Sequence, residues 1–315
     1  MLAAHVVDFS ELRLGELEHL WQREAQSWQK RLLWDVSDPL YRLRRMVERG
    51  SIAGKILWDG TAAAGYACFL VAGKLAVICR LFTSPECDAA GAEMLIQETV
   101  SAIRRTGASR IESPFISIDR PWLPQLFEQQ GFGAYWREFM RRKIQASVGR
   151  DRNERAADAG TNLCLELLRG SNLRAAASVM RAAYEGGVDA EMNQQYRSDD
   201  GCELVLDDLL NQGGCGNPVV EASVIARRRG SAIGFIVMTE IARRQAHLAQ
   251  IAVLPEYHRQ GVGRLLLRHS LSKLAERAFD TISLIVSRQN RRAVNMYELA
   301  GFEPVLSFPA FTWQG

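Results

Sequence analysis

The 315-residue sequence holds no apolar run of 18 residues. Its best candidate, Gly65 to Ile78, is broken by Gly73 and Lys74, so no membrane-spanning helix is expected. The first ten residues lack a basic segment ahead of an apolar one, and no secretory signal is expected. Lysine is scarce: it supplies five of the 39 basic residues, and no polybasic block occurs. The formal charge is only +3, with 20 basic against 17 acidic residues in 1–150 and 19 against 19 in 151–315. Neither half carries the excess of a nucleic-acid binder. The six cysteines (Cys68, Cys79, Cys87, Cys164, Cys202, Cys215) include no C-x-x-C pair and no metal-type spacing with histidine. No metal site is expected, and the thiols read as reduced and cytoplasmic. With 47% apolar and 24% charged residues, disordered and fibrous classes are excluded.

The length suggests two domains. Residues 145–160, QASVGRDRNERAADAG, are polar and aperiodic, and read as a linker between domains at 1–144 and 161–315. In the second half, strands are expected at 162–168, 219–226, 233–241, 247–254, 281–286 and 305–311. Helices are expected at 175–184, 262–278 and 291–300, the first capped by Ser171 or Asn172. The stretch 185–218 reads as irregular, with a helical patch near 203–210. The first half shows helices at 11–30, 39–50, 89–105 and 121–130, and strands at 53–58, 64–71, 76–82, 110–113 and 134–143.

The halves are related letter by letter. Pro85-Glu86, Gly91 and Gly131-Phe132 recur 170 residues later as Pro255-Glu256, Gly261 and Gly301-Phe302. Agreement at three separated points reads as two tandem copies of one α/β unit.

The chemistry concentrates in Ile251-Ala-Val-Leu-Pro-Glu-Tyr-His-Arg-Gln-Gly-Val-Gly-Arg264, a strand and loop followed by Gly-x-Gly at the start of a helix. A helix N-terminus presents unpaired N–H groups and partial positive charge, and glycines let its backbone approach a phosphate. Leu266 stands where a dinucleotide fingerprint needs its third glycine, and no Gly-Lys-Ser/Thr follows for a P-loop. Alone, the segment is equally compatible with a tight turn before an ordinary helix. A second segment, Asn290-x-x-Ala293-x-x-x-Tyr297-x-x-x-Gly301-Phe302, places Ala293, Tyr297 and Ala300 on one helical face.

Together the two segments resemble the GCN5-related N-acetyltransferase (GNAT) superfamily, over about residues 161–311 through specific motifs and over about 1–144 through the degenerate repeat. The resemblance implies two tandem acyl-CoA N-acyltransferase units, each a mixed, mostly antiparallel sheet flanked by helices. It implies acetyl-CoA as co-substrate, with its diphosphate on the amides of Arg259, Gln260, Gly261, Val262, Gly263 and Arg264. His258 occupies the usual Gln/Arg slot. Ile251, Ala252 and Val253 would pair with the pantetheine arm, and Asn290 and Ala293 would line the thioester. Tyr297 matches the residue that protonates the leaving thiolate. For the general base, His247 resembles the histidine of aralkylamine acetyltransferases, and Glu240 across the hairpin is the next candidate. Relatives acting on ribosomal N-termini carry a Glu where Ile285 stands.

In the first copy Glu93, Asp88, Arg120 and Phe127 replace Gly263, His258, Asn290 and Tyr297, so it reads as catalytically silent. The acidic, aromatic stretch from Tyr184 to Asp200 suits an amine of a small molecule or peptide, or is simply solvated. No nucleic-acid or membrane partner is expected, and the oligomeric state stays open. The alternative is a catalytically silent acyl-CoA sensor or partner-binding pseudoenzyme.

Overall fold

The computed structural model describes residues 4–11, 14–114, 120–145 and 163–315. The expected linker at 145–160 lies outside the described residues apart from Gln145.

The first repeat runs β1 (His5–Asp8), α1 (Glu18–Leu32), α2 (Ser37–Glu48), β2 (Ala53–Trp58), β3 (Ala63–Ala72), β4 (Leu75–Thr83), α3 (Ala89–Arg105), β5 (Arg110–Ser113), α4 (Leu123–Gln129) and β6 (Gly133–Lys143). The second runs β7 (Leu163–Leu167), α5 (Leu173–Tyr184), α6 (Val188–Met192), α7 (Asp199–Asp207), β8 (Asn217–Pro218), β9 (Val224–Arg228), β10 (Ser231–Ala242) and β11 (Gln245–Val253). It ends with α8 (Val262–Glu276), β12 (Thr281–Ser287), α9 (Arg291–Leu299) and β13 (Glu303–Gln314). No helix among the described residues is long and apolar enough to cross a membrane.

Local chemistry accounts for most of these boundaries. Helix α3 starts where the Asp88 carboxylate accepts the Gly91 N–H, at 2.8 Å. It buries Ala92, Leu95, Ile96, Val100 and Ile103, one helical stripe. In the second repeat β10 alternates from Phe235 to Met238. Ile236 and Met238 pack with Leu266 and Val294 on the α8–α9 side, while Phe235 and Val237 pack with Ala176 and Met180 of α5.

Some expectations shift. The helix expected at 11–30 begins only at Glu18, after two short 3-10 turns, and β1 has no counterpart in the sequence reading. The strand expected at 219–226 begins only at Val224, because Val220–Ala222 forms a 3-10 turn. There the Ser223 hydroxyl accepts from the Met238 N–H (2.9 Å) and donates to the Val219 carbonyl (3.0 Å), replacing ladder bonds. Neither Ser171 nor Asn172 caps α5 by side chain; Asn172 Oδ1 accepts from Arg169 N–H instead, at 2.9 Å. The stretch 185–218 is more ordered than its composition suggests. Ser198 caps α7 through the Gly201 N–H, at 3.0 Å.

Two compact units emerge, and they do not follow a cut at residue 144. Unit 1 comprises Met1–Arg137 and Phe308–Gly315, and unit 2 comprises Glu138–Ser307. Strand pairing is the physical reason. Unit 1 has the order β1-β2-β3-β4-β5, with Phe311–Gln314 antiparallel to Arg110–Ser113. Unit 2 has the order β6-β12-β11-β10-β9-β7, with β8 on β10. The β4–β5 pair of unit 1 and the β11–β12 pair of unit 2 are parallel, whereas β1–β2, β2–β3, β3–β4, β7–β9, β9–β10 and β10–β11 are antiparallel. Each unit thus has a mixed, mostly antiparallel sheet flanked by helices.

Candidate functional site

Strands β11 and β12 diverge. Their parallel register covers Gln245–Leu248 against Thr281–Leu284 and then stops, although β11 continues to Val253 and β12 to Ser287. A β-bulge sits at the point of divergence: Val237 faces Gln250 while Met238 faces Leu248, leaving Ala249 unpaired. A bulge bends its strand and increases its twist. Beyond it, two β11 carbonyls find side chains. The Ile251 carbonyl lies 3.2 Å from the Tyr184 hydroxyl, and the Val253 carbonyl lies 2.9 Å from His258 Nε2.

The loop after β11 forms an anion cradle. Arg259 (φ +60°) and Gly261 (φ +84°) both adopt left-handed backbone, and α8 begins at Val262 with no side-chain cap. Alternation of this kind turns successive N–H groups toward one point. The space a Gly261 Cβ would enter is open, whereas a Cβ at Gly263 would stand 3.2 Å from Met296 Sδ. Gly263 therefore lets α8 approach α9, and Gly261 leaves the helix mouth clear. Arg259, Arg264 and Arg292 are exposed around it. Gln260 is held by Arg228 (3.1 Å) and donates to the Glu256 carbonyl (2.7 Å). An uncapped helix mouth with left-handed amides and nearby guanidiniums fits a phosphate group.

His258 closes one side of the cradle. Its Nδ1 accepts from Arg292, so Nε2 must carry the proton given to the Val253 carbonyl. Burial pushes its pKa below the usual value; the Val253 bond opposes that shift and the Arg292 charge adds to it. In a ring-proton NMR titration His258 is expected to show a midpoint below the unperturbed value of about 6.5. Arg292→Ala is expected to raise it, because the guanidinium repels imidazolium and occupies the lone pair that protonation needs. An unchanged midpoint in that variant would remove Arg292 from the account.

Helix α9 starts where Asn290 Oδ1 accepts from the Ala293 N–H, at 3.2 Å. Asn290 thus acts as the helix cap, and Ala293 is partly buried beside the core. Tyr297 is 4% exposed, edge-on to Phe302 with ring centroids 5.7 Å apart. Burial first, and then the charge of Asp189, hold its hydroxyl well above the ordinary tyrosine range.

The two candidates for a base stand apart from the divergent region. His247 is 3% exposed, within the stretch where β11 and β12 still pair. Its Nδ1 lies 2.9 Å from Ser283 Oγ and its ring stacks over Phe139. Glu240 sits at the same, turn-proximal end of the hairpin, opposite Ala246, where Oε1 accepts from the Arg244 N–H at 2.9 Å. That bond makes Glu240 part of the turn.

The acidic segment that follows α5 and enters α7 is largely self-neutralised. Asp199 pairs with Arg181 (2.8 Å), and Asp200 and Glu203 pair with Arg174 (2.6 and 2.7 Å). The sequence reading missed Gln250. Its Oε1 accepts from Tyr184 (2.8 Å) and its Nε2 donates to Tyr196 (2.7 Å), while the two tyrosine rings stack at 5.1 Å. A polar residue alternating into an otherwise apolar strand face was the available signal. It also missed Ser287, whose hydroxyl donates to Asp189 at 2.6 Å.

Unit 1 repeats the scaffold without the opening. Its bulge falls at Cys79, 170 residues before Ala249: Cys68 faces Arg80 while Phe69 faces Ile78. Its helix mouth, however, is filled by the Asp88 cap. Arg120 donates to the Thr83 and Ser84 carbonyls (3.2 and 2.5 Å), at the positions equivalent to Val253 and Leu254. Arg80, the counterpart of Gln250, is paired at 2.5 Å with Glu24, which also accepts from the buried Tyr66 hydroxyl. A carboxylate already on the helix N-terminus opposes a second anion.

Residues 191–302 match the acetyltransferase (GNAT) family. Over 65 residues the chain is 42% identical to the [ribosomal protein bS18]-alanine N-acetyltransferase of Escherichia coli K12. That alignment covers 21% of this chain and 44% of the relative, so the chain spans less than half the length of the curated protein it matches. Among solved structures, a GCN5-related N-acetyltransferase from Sphaerobacter thermophilus superposes with a TM-score of 0.60 at 14% identity, over 83% of this chain and 80% of that one. A tandem GNAT protein from the clavulanic acid biosynthesis pathway gives 0.54 at 14% identity, over 84% and 82%. At such identities the structures speak for the fold alone.

Proposed function

The chain belongs to the GNAT superfamily, and from that premise we propose that unit 2 transfers an acetyl group from acetyl-CoA to a primary amine of a small molecule or peptide. The observation that carries this reading is the open, glycine-lined mouth of α8 beside the divergent end of β11. In it, amides from His258 to Arg264 hold the coenzyme diphosphate. The pantetheine arm lies along Ile251–Val253 as an added strand, which requires Tyr184 and His258 to release the two carbonyls they now hold. Main-chain N–H groups of the same stretch polarise the thioester carbonyl. Ala293, being small, leaves room beside α9, and Asn290 fixes where that helix starts.

Tyr297 returns a proton to the departing sulfur. A tyrosine hydroxyl is protonated at neutral pH, which is the state a general acid needs, and burial followed by the Asp189 charge shifts Tyr297 further in that direction. Tyr297→Phe is expected to lower kcat by about 10²-fold or more, the usual scale for a lost acid. Acetyl-CoA affinity is expected to stay nearly constant. Stopped-flow thiol release and calorimetry separate the two quantities. A kcat within about threefold of wild type would take Tyr297 out of the chemistry.

Unit 1 takes no coenzyme in this scheme, because Asp88 and Arg120 occupy the equivalent groups. The competing sensor reading is favoured by one feature, the closed state of the Ile251 and Val253 carbonyls. It predicts acetyl-CoA binding with no turnover on any amine, so the same two measurements distinguish it.

A further inference from the structure

Glu185, Asp199, Asp200 and Glu203, in the segment that follows α5 and enters α7, each face an arginine. Asp189 does not: it has no cation at ion-pair distance among the described residues. It is half-buried, and its Oδ1 accepts one neutral hydrogen bond, from Ser287 at 2.6 Å. Ser287 is the last residue of β12, beyond the point where β11 and β12 separate, and Asn290 starts α9 three residues later. The Tyr297 hydroxyl on that helix has no hydrogen-bond partner among the described residues, although the side chain is almost fully buried. Burial first, and then the Asp189 charge, raise the Tyr297 pKa, so the carboxylate lies within electrostatic reach of the phenol.

We propose that Asp189, oriented by Ser287, is the catalytic residue that holds the ammonium group of the acceptor beside Tyr297 and takes its proton. An ionised carboxylate accepts at several lone-pair sites, and Ser287 occupies only one. A partly desolvated carboxylate without a counter-charge is costly unless a cation completes it. An ammonium supplies the missing charge, whereas an alcohol or thiol acceptor does not. The base is then this carboxylate and not the buried His247.

This inference rests on the acetyltransferase reading above. One ammonium proton passes to Asp189 and on to water. The nitrogen lone pair bonds to the thioester carbon, and the C–S bond breaks with its electron pair going to sulfur. The sulfur takes the Tyr297 proton, and a second N–H proton restores Tyr297. The sum is one amide, one thiol and one proton released.

The test measures acetyl-CoA binding by calorimetry and thiol release with spermidine, phenethylamine and an alanine-initiated hexapeptide, across the neutral pH range. Asp189→Asn is expected to lower kcat/KM for the amine by about 10²-fold, with acetyl-CoA affinity within about threefold of wild type. Ser287→Ala is expected to cost about five- to tenfold, the scale of one hydrogen bond, and Asp189→Glu to recover part of the loss. Near-normal turnover by Asp189→Asn overturns the assignment. So does a parallel loss of acetyl-CoA affinity, which would place Asp189 in the coenzyme site or the fold. A wild-type chain that binds acetyl-CoA but acetylates none of the amines overturns the assignment while leaving the coenzyme site standing. A chain that does not bind acetyl-CoA overturns the acetyltransferase reading itself.

Discussion

Gly261→Glu is expected to weaken acetyl-CoA binding by two to three orders of magnitude while leaving the protein folded. The space above Gly261 is open, so the new side chain meets no neighbour. Its backbone at φ +84° adds about 1–2 kcal/mol of strain for a residue with a Cβ. The large effect is electrostatic. A carboxylate about 4 Å from a phosphate costs about 4 kcal/mol at the effective dielectric of a protein surface, which is close to a thousandfold. The same carboxylate can also cap the free amides of α8, as Asp88 does for α3 in unit 1. Gly261→Ala carries the strain without the charge and is expected to lose about tenfold or less. Calorimetric titration of both variants checks this. If the glutamate and alanine variants bind alike, the mouth of α8 does not hold the diphosphate.

Phe311→Ala is expected to destabilise unit 1 by about 3–5 kcal/mol, the usual cost of emptying a fully buried aromatic site. Phe311 is 0% exposed and lies flat on Phe127, with centroids 4.2 Å apart and planes 9° apart. Phe127 in turn stands edge-on to Phe132 at 5.1 Å. The ring therefore belongs to the α3–α4 side of unit 1, although it is contributed by the last strand of the sequence. Trp21 and Trp34 are buried in unit 1 and make its unfolding visible by fluorescence. A urea titration should show the tryptophan transition moving to lower concentration, with Val305→Ala, at a 40% exposed site, as a near-neutral control. Equal midpoints for the two variants would mean that Phe311 does not complete this core.

Much of the site was legible because its determinants are local. Helix α3 and strand β5 fall at their expected limits, since a cap and a hydrophobic stripe operate within a few residues. The 170-residue offset, the glycines of the helix mouth and the charged replacements in the first repeat could be read directly, because each depends on one residue type at one position. Left-handed backbone at Gly261 and the acid on the mouth of α3 follow from the same local rules.

Tertiary structure decided what depends on partners far along the chain. Which strand completes which sheet turned on Phe311–Gln314 meeting Arg110–Ser113, about two hundred residues apart, and strand periodicity is the same whichever partner is met. The sequence marks His247 as a titratable group on the right strand, and only packing reveals that Phe139 and Ser283 enclose it. The acidic segment reads as uniformly negative until Arg174 and Arg181 are seen to cancel most of it, with Asp189 left beside Ser287. Propensity and spacing act over a turn of helix or a few strand residues, whereas burial and charge pairing are properties of the assembled neighbourhood.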